Sequence, residues 1–349
     1  MTLSQTATLT KQIITISVLA LILGTVSFIG YKIWYAYYLA HLPVVEEVPD
    51  TKFGLLPQPD FPSSSVSSSN FSYSIDTATG GLPKVGIDPG FEKIIKVYFV
   101  NKSFATLLSP ERSQNLAEKL GLNPNPQIIS EVNYRFKDKA KTLNVDLDNG
   151  NFKFTNEATP SGGQSLDDDN KLTTDFKNIL NSLGVLKEEL TRGRAKVNLF
   201  RLQGNQLIPT TVRTEAGVAQ VSLWQGSPDK KLIFTPEFNK ALVNATVVRG
   251  ADNIDNYLSL NFTYYPIDTT TFATYPLKST EVALDNLKAG KGIVVIEPAK
   301  PQVSITSLSL GYYLSENYNP YLLPVFVFEG PDFVAYVPAI TEQFQNQTR

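Results

Sequence analysis

Between Gln12 and Tyr31 the chain runs QIITISVLALILGTVSFIGY, twenty residues without a charge. A helix rising ~1.5 Å per residue crosses the ~30 Å hydrocarbon core of a bilayer in about that length. Few features constrain a chain more, because such a segment must be kept from water along its whole length. Everything beyond it is polar and β-patterned, so the chain divides into an anchor and a cargo.

A secretory signal has a shorter apolar core, roughly 7–15 residues, and small residues ahead of its cut site. Here the apolar run continues as Ile33-Trp34-Tyr35-Ala36-Tyr37-Tyr38-Leu39-Ala40, and cleavage after Ala40 would set bulky Tyr38 where a small residue is required. Trp34, Tyr35, Tyr37 and Tyr38 suit the membrane–water interface, and Lys32 can extend its ammonium towards it. The expectation is an uncleaved anchor over residues 12–40, in contact with the lipid bilayer, behind a short cytoplasmic tail of residues 1–11. A short leading tail and a long folded remainder favour a cell-membrane protein with its N-terminus inside and its C-terminal region extracytoplasmic. The acidic residues Glu46, Glu47 and Asp50 weigh little in that orientation.

Composition then narrows the functions open to the cargo. The 349 residues carry a net charge of −2, with Lys and Arg scattered along the chain. No basic block offers the phosphate-neutralising surface that nucleic acid requires. The chain has no cysteine and a single histidine, His41, at the end of the anchor. That combination removes disulfides, thiolate chemistry, Ser-His-Asp triads and typical zinc sites together.

Residues 41–69 carry Pro43, Pro49, Pro57, Pro59 and Pro62 and then the clusters Ser63–Ser65 and Ser67–Ser69. Proline opposes both helix and central strand and serine has little to bury, so an extended stalk is expected. Folded structure is expected from Asn70. A strand over Lys93–Val100 precedes an N-cap at Ser109 and a helix ending at Leu120-Gly121. The period then changes to two. Val132, Tyr134 and Phe136 share one face, Glu131, Asn133, Arg135 and Lys137 the other, and Asp148-Asn149-Gly150-Asn151 turns the chain into Phe152–Phe154.

The pattern recurs. Thr173 is the expected cap of a helix ending at Leu183-Gly184, followed by strands near 196–202, 218–224 and 231–235. A strand over Tyr257–Tyr265 precedes the cap Ser279, a helix over Thr280–Lys288 and strands at 293–296, 303–314, 323–329 and 333–337. SPERSQNLAEKLG, TTDFKNILNSLG and STEVALDNLKAG each join a hydroxyl cap, a leucine-bearing face and a final glycine. The expected fold is α+β, a single transmembrane helix followed by three helix-plus-antiparallel-sheet units at 70–160, 161–255 and 256–340, with a polar tail at 341–349.

In the C-terminal third, TYYPIDTTTFATYPLKSTEVALDNL, SLSLGYYLS and LLPVFVFEGPDFVAYVPAI resemble the pattern of the YycH/YycI family. The match rests on the anchor, the Ser279 helix with Ala283 and Leu287, the Gly311-Tyr312-Tyr313 strand and the Pro324 strand. The resemblance implies PepSY-related helix-and-sheet units behind an N-terminal helix. It also implies an accessory role, modulating a membrane sensor kinase that governs the cell wall in Gram-positive bacteria.

No catalytic set emerges. Ser227-Pro228-Asp229-Lys230 has the spacing of Ser/Lys acylases, but Gly226 and Pro228 signal a turn where that pair needs a helix. Asp146, Asp148, Asn149 and Gly150 miss the spacing of a calcium loop and suit a hairpin. Asp167–Asp169 precedes a helix, where acidic residues suit the dipole. No cofactor and no metal are therefore expected. Tyr312, Tyr313, Tyr318 and Tyr321 are the candidate partner-binding face, since aromatics are favoured at interfaces. The functional expectation is a non-enzymatic protein that binds a membrane or envelope partner or senses the envelope. The alternatives are a cell-envelope enzyme using paired carboxylates and a purely structural envelope protein.

Overall fold

The computed structural model describes residues 3–40, 48–157, 166–204 and 206–346, and side chains from residue 14 onward within the first segment to residue 38. Residues 1–48 and 49–349 form two separate compact units.

The first unit is one helix, α1, Leu3–Ala40. Thirty-eight residues give a rod of about 57 Å. Ile14–Tyr38, with mean hydropathy 2.1, is long and apolar enough to cross a membrane. Its described side chains are all exposed. Near its end Tyr31 stacks on Tyr35, with ring centroids 5.9 Å apart, and Trp34 on Tyr38 at 5.7 Å. These are the i, i+4 pairs that a helix sets on one side. Because the helix begins at Leu3, the expected tail of residues 1–11 is mostly its first turns rather than a separate segment.

The second unit holds two large sheets. A nine-stranded antiparallel sheet runs, edge to edge, through 127–128, 133–138, 141–146, 152–156, 257–262, 243–248, 218–223, 195–203 and 206–210. Its apolar face carries Phe136, Leu143, Phe154, Leu260, Ala245 and Val221, each buried, beneath two helices. These are α2, Ser109–Lys119, and α3, Asp169–Leu183. The face of α3 that meets the sheet is Leu172, Phe176, Leu180 and Leu183, the spacing of one helical stripe. A seven-stranded sheet joins 233–234, 307–313, 321–330, 333–338 and 293–296 in order. Strand 94–100 pairs with both 267–276 and 321–322. Against this sheet lies α5, Thr280–Lys288, burying Ala283, Leu284 and Leu287. A short helix, α4, Glu188–Arg192, completes the set.

The helix over Thr280–Lys288 forms as expected: Ser279 Oγ accepts the Val282 N–H at 3.3 Å, and Gly290 takes φ +80°. The other two caps differ. Asp168, not Thr173, caps α3, accepting from the Lys171 N–H at 2.9 Å, because the acidic run extends the helix backwards from the hydroxyl. Ser109 is already helical; Leu108 stands at the cap position without a side-chain bond.

Two larger expectations are corrected. From Pro49 the proposed stalk is folded onto the body. Leu56 is fully buried and exchanges backbone hydrogen bonds with Phe344 and Asn346, each at 2.8 Å. Phe53 packs on Tyr321 and Phe61 on Tyr313, both with ring centroids 4.9 Å apart, while Ser68 Oγ donates to the Leu287 carbonyl at 2.7 Å. Prolines bar the segment from a sheet interior, yet its carbonyls still accept and the apolar residues between the prolines still bury. Residues 41–47, with His41, lie outside the described residues.

Nor are the three expected units separate bodies. Strand 152–156 of the first pairs with 257–262 of the third, and 243–248 of the second lies on its other side. Strand 94–100 of the first belongs with strands of the third. A strand edge is satisfied by another strand wherever it lies in sequence, so contiguous units merged into shared sheets.

Candidate functional site

Because side chains alternate along a strand, the face of the nine-stranded sheet opposite α2 and α3 receives the other half of every strand. Register aligns those residues in rows. One row passes through Arg135, Asn144, Lys153, Asn261, Asn244, Ser222 and Lys196, each opposite the next. The adjacent row is Lys137, Thr142, Thr155, Ser259, Thr246, Gln220 and Asn198. Fourteen polar side chains thus cover seven strands, four of them cationic and none acidic.

A solvated sheet face ordinarily mixes both signs, because opposite charges across strands favour pairing. Here Arg135, Lys137, Lys153 and Lys196 are exposed and make no ion pair among the described residues. Arg135 Nε donates instead to Asn144 Oδ1 at 2.8 Å, and Lys196 donates to Asn239 Oδ1.

The loop between strands 233–234 and 243–248 crosses this face and is pinned by asparagines. Asn244 Nδ2 donates to the Ala241 carbonyl at 2.7 Å and Asn198 Nδ2 to the Asn239 carbonyl at 2.8 Å. On one side the loop bounds a cleft of about 600 Å³, lined by Arg135, Asn144, Lys153 and Asn261 and reaching Glu316. On the other is a broader hollow of about 900 Å³ over Asn198, Phe200 and Gln220. Glu237 and Lys240 line both and pair with each other at 2.6 Å. Asp146, at the cleft's rim, is engaged by the Asp148 N–H at 2.9 Å and by Asn149 Nδ2 at 2.7 Å, so its charge serves the hairpin turn.

The aromatic face expected at Tyr312, Tyr313, Tyr318 and Tyr321 does not form. Tyr312 and Tyr313 are buried; their hydroxyls donate at 3.0 Å to the carbonyls of Lys96 and Asp60. Burial holds both phenols above their ordinary pKa. Tyr318 donates to the Val100 carbonyl at 2.9 Å, and Tyr321 lies between Phe53 and Phe99. Tyr312 and Tyr313 fill a core and Tyr318 and Tyr321 pack at its edge; the segment expected to be a stalk covers Tyr313 through Phe61 and Tyr321 through Phe53, while Tyr312 meets Tyr98 and Tyr318 meets Tyr265. Lys32, Trp34, Tyr35, Tyr37 and Tyr38 lie on α1, with Lys32 Nζ 5.7 Å from the Phe28 ring centre.

The remaining candidates have structural partners. Asp229 accepts from the Tyr98 hydroxyl and from Lys96 Nζ, inside a turn that leaves Ser227 and Lys230 on no common helix. Burial and this bond hold Tyr98 above the ordinary phenol range. Asp167 pairs with Lys171, Asp168 caps α3 and Asp169 pairs with Arg213. Among the described residues no cluster of three or more His, Cys, Asp or Glu could hold a metal ion.

No family model and no curated protein match the chain. It is similar to a solved structure of an uncharacterized protein from Eubacterium rectale ATCC 33656, at 16% identity and a TM-score of 0.37, over 77% of this chain and 84% of that one.

Proposed function

We propose that the chain is a non-enzymatic, single-pass membrane protein whose Pro49–Arg349 unit lies outside the cytoplasm and binds an acidic segment of a membrane or envelope protein. The observation that carries this reading is the acid-free pair of rows, in which the exposed Arg135, Lys137, Lys153 and Lys196 make no ion pair among the described residues. Such a face attracts an anionic surface and offers Asn, Thr, Ser and Gln side chains to orient it. The apolar, unpacked α1 supports the anchor, and its aromatic pairs suit a membrane interface. The resemblance of residues 255–340 to the YycH/YycI family favours a partner among membrane sensors and a PepSY-like ancestry for the helix-and-sheet units.

The test compares the detergent-solubilised full chain with a R135E/K153E double variant as baits for solubilised envelope proteins. A discrete partner with an acidic surface segment, captured by the wild type, released by raised salt and lost by the variant, supports the proposal. Partners held equally by both baits, or insensitive to salt, overturn it.

A further inference from the structure

Lys278 is the one Lys, Arg, Asp or Glu among the described residues that is fully buried, at 5% exposure. It stands between strand 267–276 and α5, held by its own N–H on the Ala339 carbonyl at 2.9 Å. Its ammonium makes no hydrogen bond or ion pair among the described residues. A poorly hydrated charge is costly unless it is paired, so an ammonium on a largely buried side chain, set at the lining of a cleft, attracts a counter-ion.

The cavity is present. A cleft of about 410 Å³, open to solvent on one side, is lined by Gln58, Lys278, Asn286, Lys291, Glu342 and Gln345, with Pro338 at one wall. Asn286 and Gln345 are themselves 9% and 6% exposed. The single carboxylate is already engaged: Glu342 Oε1 accepts from Lys291 Nζ at 3.0 Å and from Asn286 Nδ2 at 3.4 Å. Two ammoniums therefore face one carboxylate. Gln58, from the segment folded against the body, closes the site by donating to Gln345 Oε1 at 3.4 Å and to the Asn346 carbonyl at 3.3 Å. The volume suits a small ligand.

We propose that this cavity binds a small oxyanion, a carboxylate or phosphate group, with Lys278 as its counter-ion and the Gln345 carboxamide as a neutral donor. The titration of Lys278 gives the inference a direct readout. Burial pushes its ammonium down to about 8, with Glu342 opposing the shift and Lys291 adding to it. The unfolded chain binds that proton more tightly, so stability rises as pH climbs from about 8 towards the ordinary lysine value near 10.5. A bound oxyanion favours the charged form and moves the titration upward.

The test uses the full chain in detergent, titrated with inorganic phosphate and with acetate against chloride at matched ionic strength. Lys278 is followed through its ε-carbon resonance in lysine-labelled protein. Saturable binding of either probe, a Lys278 titration raised by at least one pH unit, and affinity lowered at least tenfold in Lys278→Met are expected. Phosphate alone acting would assign a phosphoryl ligand, and acetate alone a carboxylate. An unmoved Lys278 titration at saturating phosphate and acetate overturns the proposal, as does equal binding by Lys278→Met or by chloride. If Lys278→Met does not fold, Lys278→Gln and the wild-type titration decide.

Discussion

Replacing Leu56 by alanine is expected to destabilise the Pro49–Arg349 unit by about 2–5 kcal/mol, the range for deleting most of a buried leucine from a packed site. Leu56 is fully buried and its backbone is bonded on both sides to the chain's last described residues. Were residues 49–69 a free tether, the same change would cost nothing. Val48, at 83% exposure and outside the unit, serves as the control, and Val48→Ala should leave stability unchanged. Urea unfolding followed by Trp224 reports on the unit, since this residue is 4% exposed there and the other tryptophan, Trp34, lies on α1. An unaltered midpoint for Leu56→Ala would return the segment to a stalk.

The second large effect concerns Tyr312. Truncation to alanine removes a ring that contacts Tyr98, with centroids 5.8 Å apart, and a hydroxyl bonded to the Lys96 carbonyl. By analogy with other large aromatic deletions, the expected loss is about 3–5 kcal/mol. Tyr312→Phe keeps the ring and loses the hydrogen bond, for about 0.5–1.5 kcal/mol. Partner binding by the fraction of Tyr312→Phe that remains folded should match the wild type. A Tyr312→Ala variant of unchanged stability but weakened binding would restore the aromatic residues to an interface and contradict their place in the core.

Local chemistry carried most of what could be seen beforehand. The length of the apolar run, the Ser279 cap, the Gly290 stop and the alternation through 132–136 are each written within a few residues, and each appears in the structure. What escaped depends on pairing across sequence distance. Nothing local indicates that strand 257–262 slots between 152–156 and 243–248, so the unit boundaries cut through a sheet. The alternation showed that Arg135 and Lys137 face away from Tyr134 and Phe136. Only register aligns them with Lys153, Asn261 and Lys196 into two adjacent rows that carry four cations and no acid. The stalk failed for a related reason: proline and serine dominate its composition, while Phe53, Leu56 and Phe61 determine where it lies. Lys278 gave no signal at all, because the cleft around it is built from three distant parts of the chain.

The charge of the polar face and the side of the membrane it occupies can be examined together. The chain has no cysteine, so a Thr155→Cys variant carries one thiol, placed in the middle of the second polar row. Intact cells treated from outside with a membrane-impermeant thiol-to-amine crosslinker should yield one discrete adduct of this chain with a protein partner, and R135E/K153E in the same background should abolish it. Labelling only after lysis would contradict the extracytoplasmic placement. An adduct that survives R135E/K153E, or no adduct at all from an accessible thiol, would contradict recognition by the cationic face.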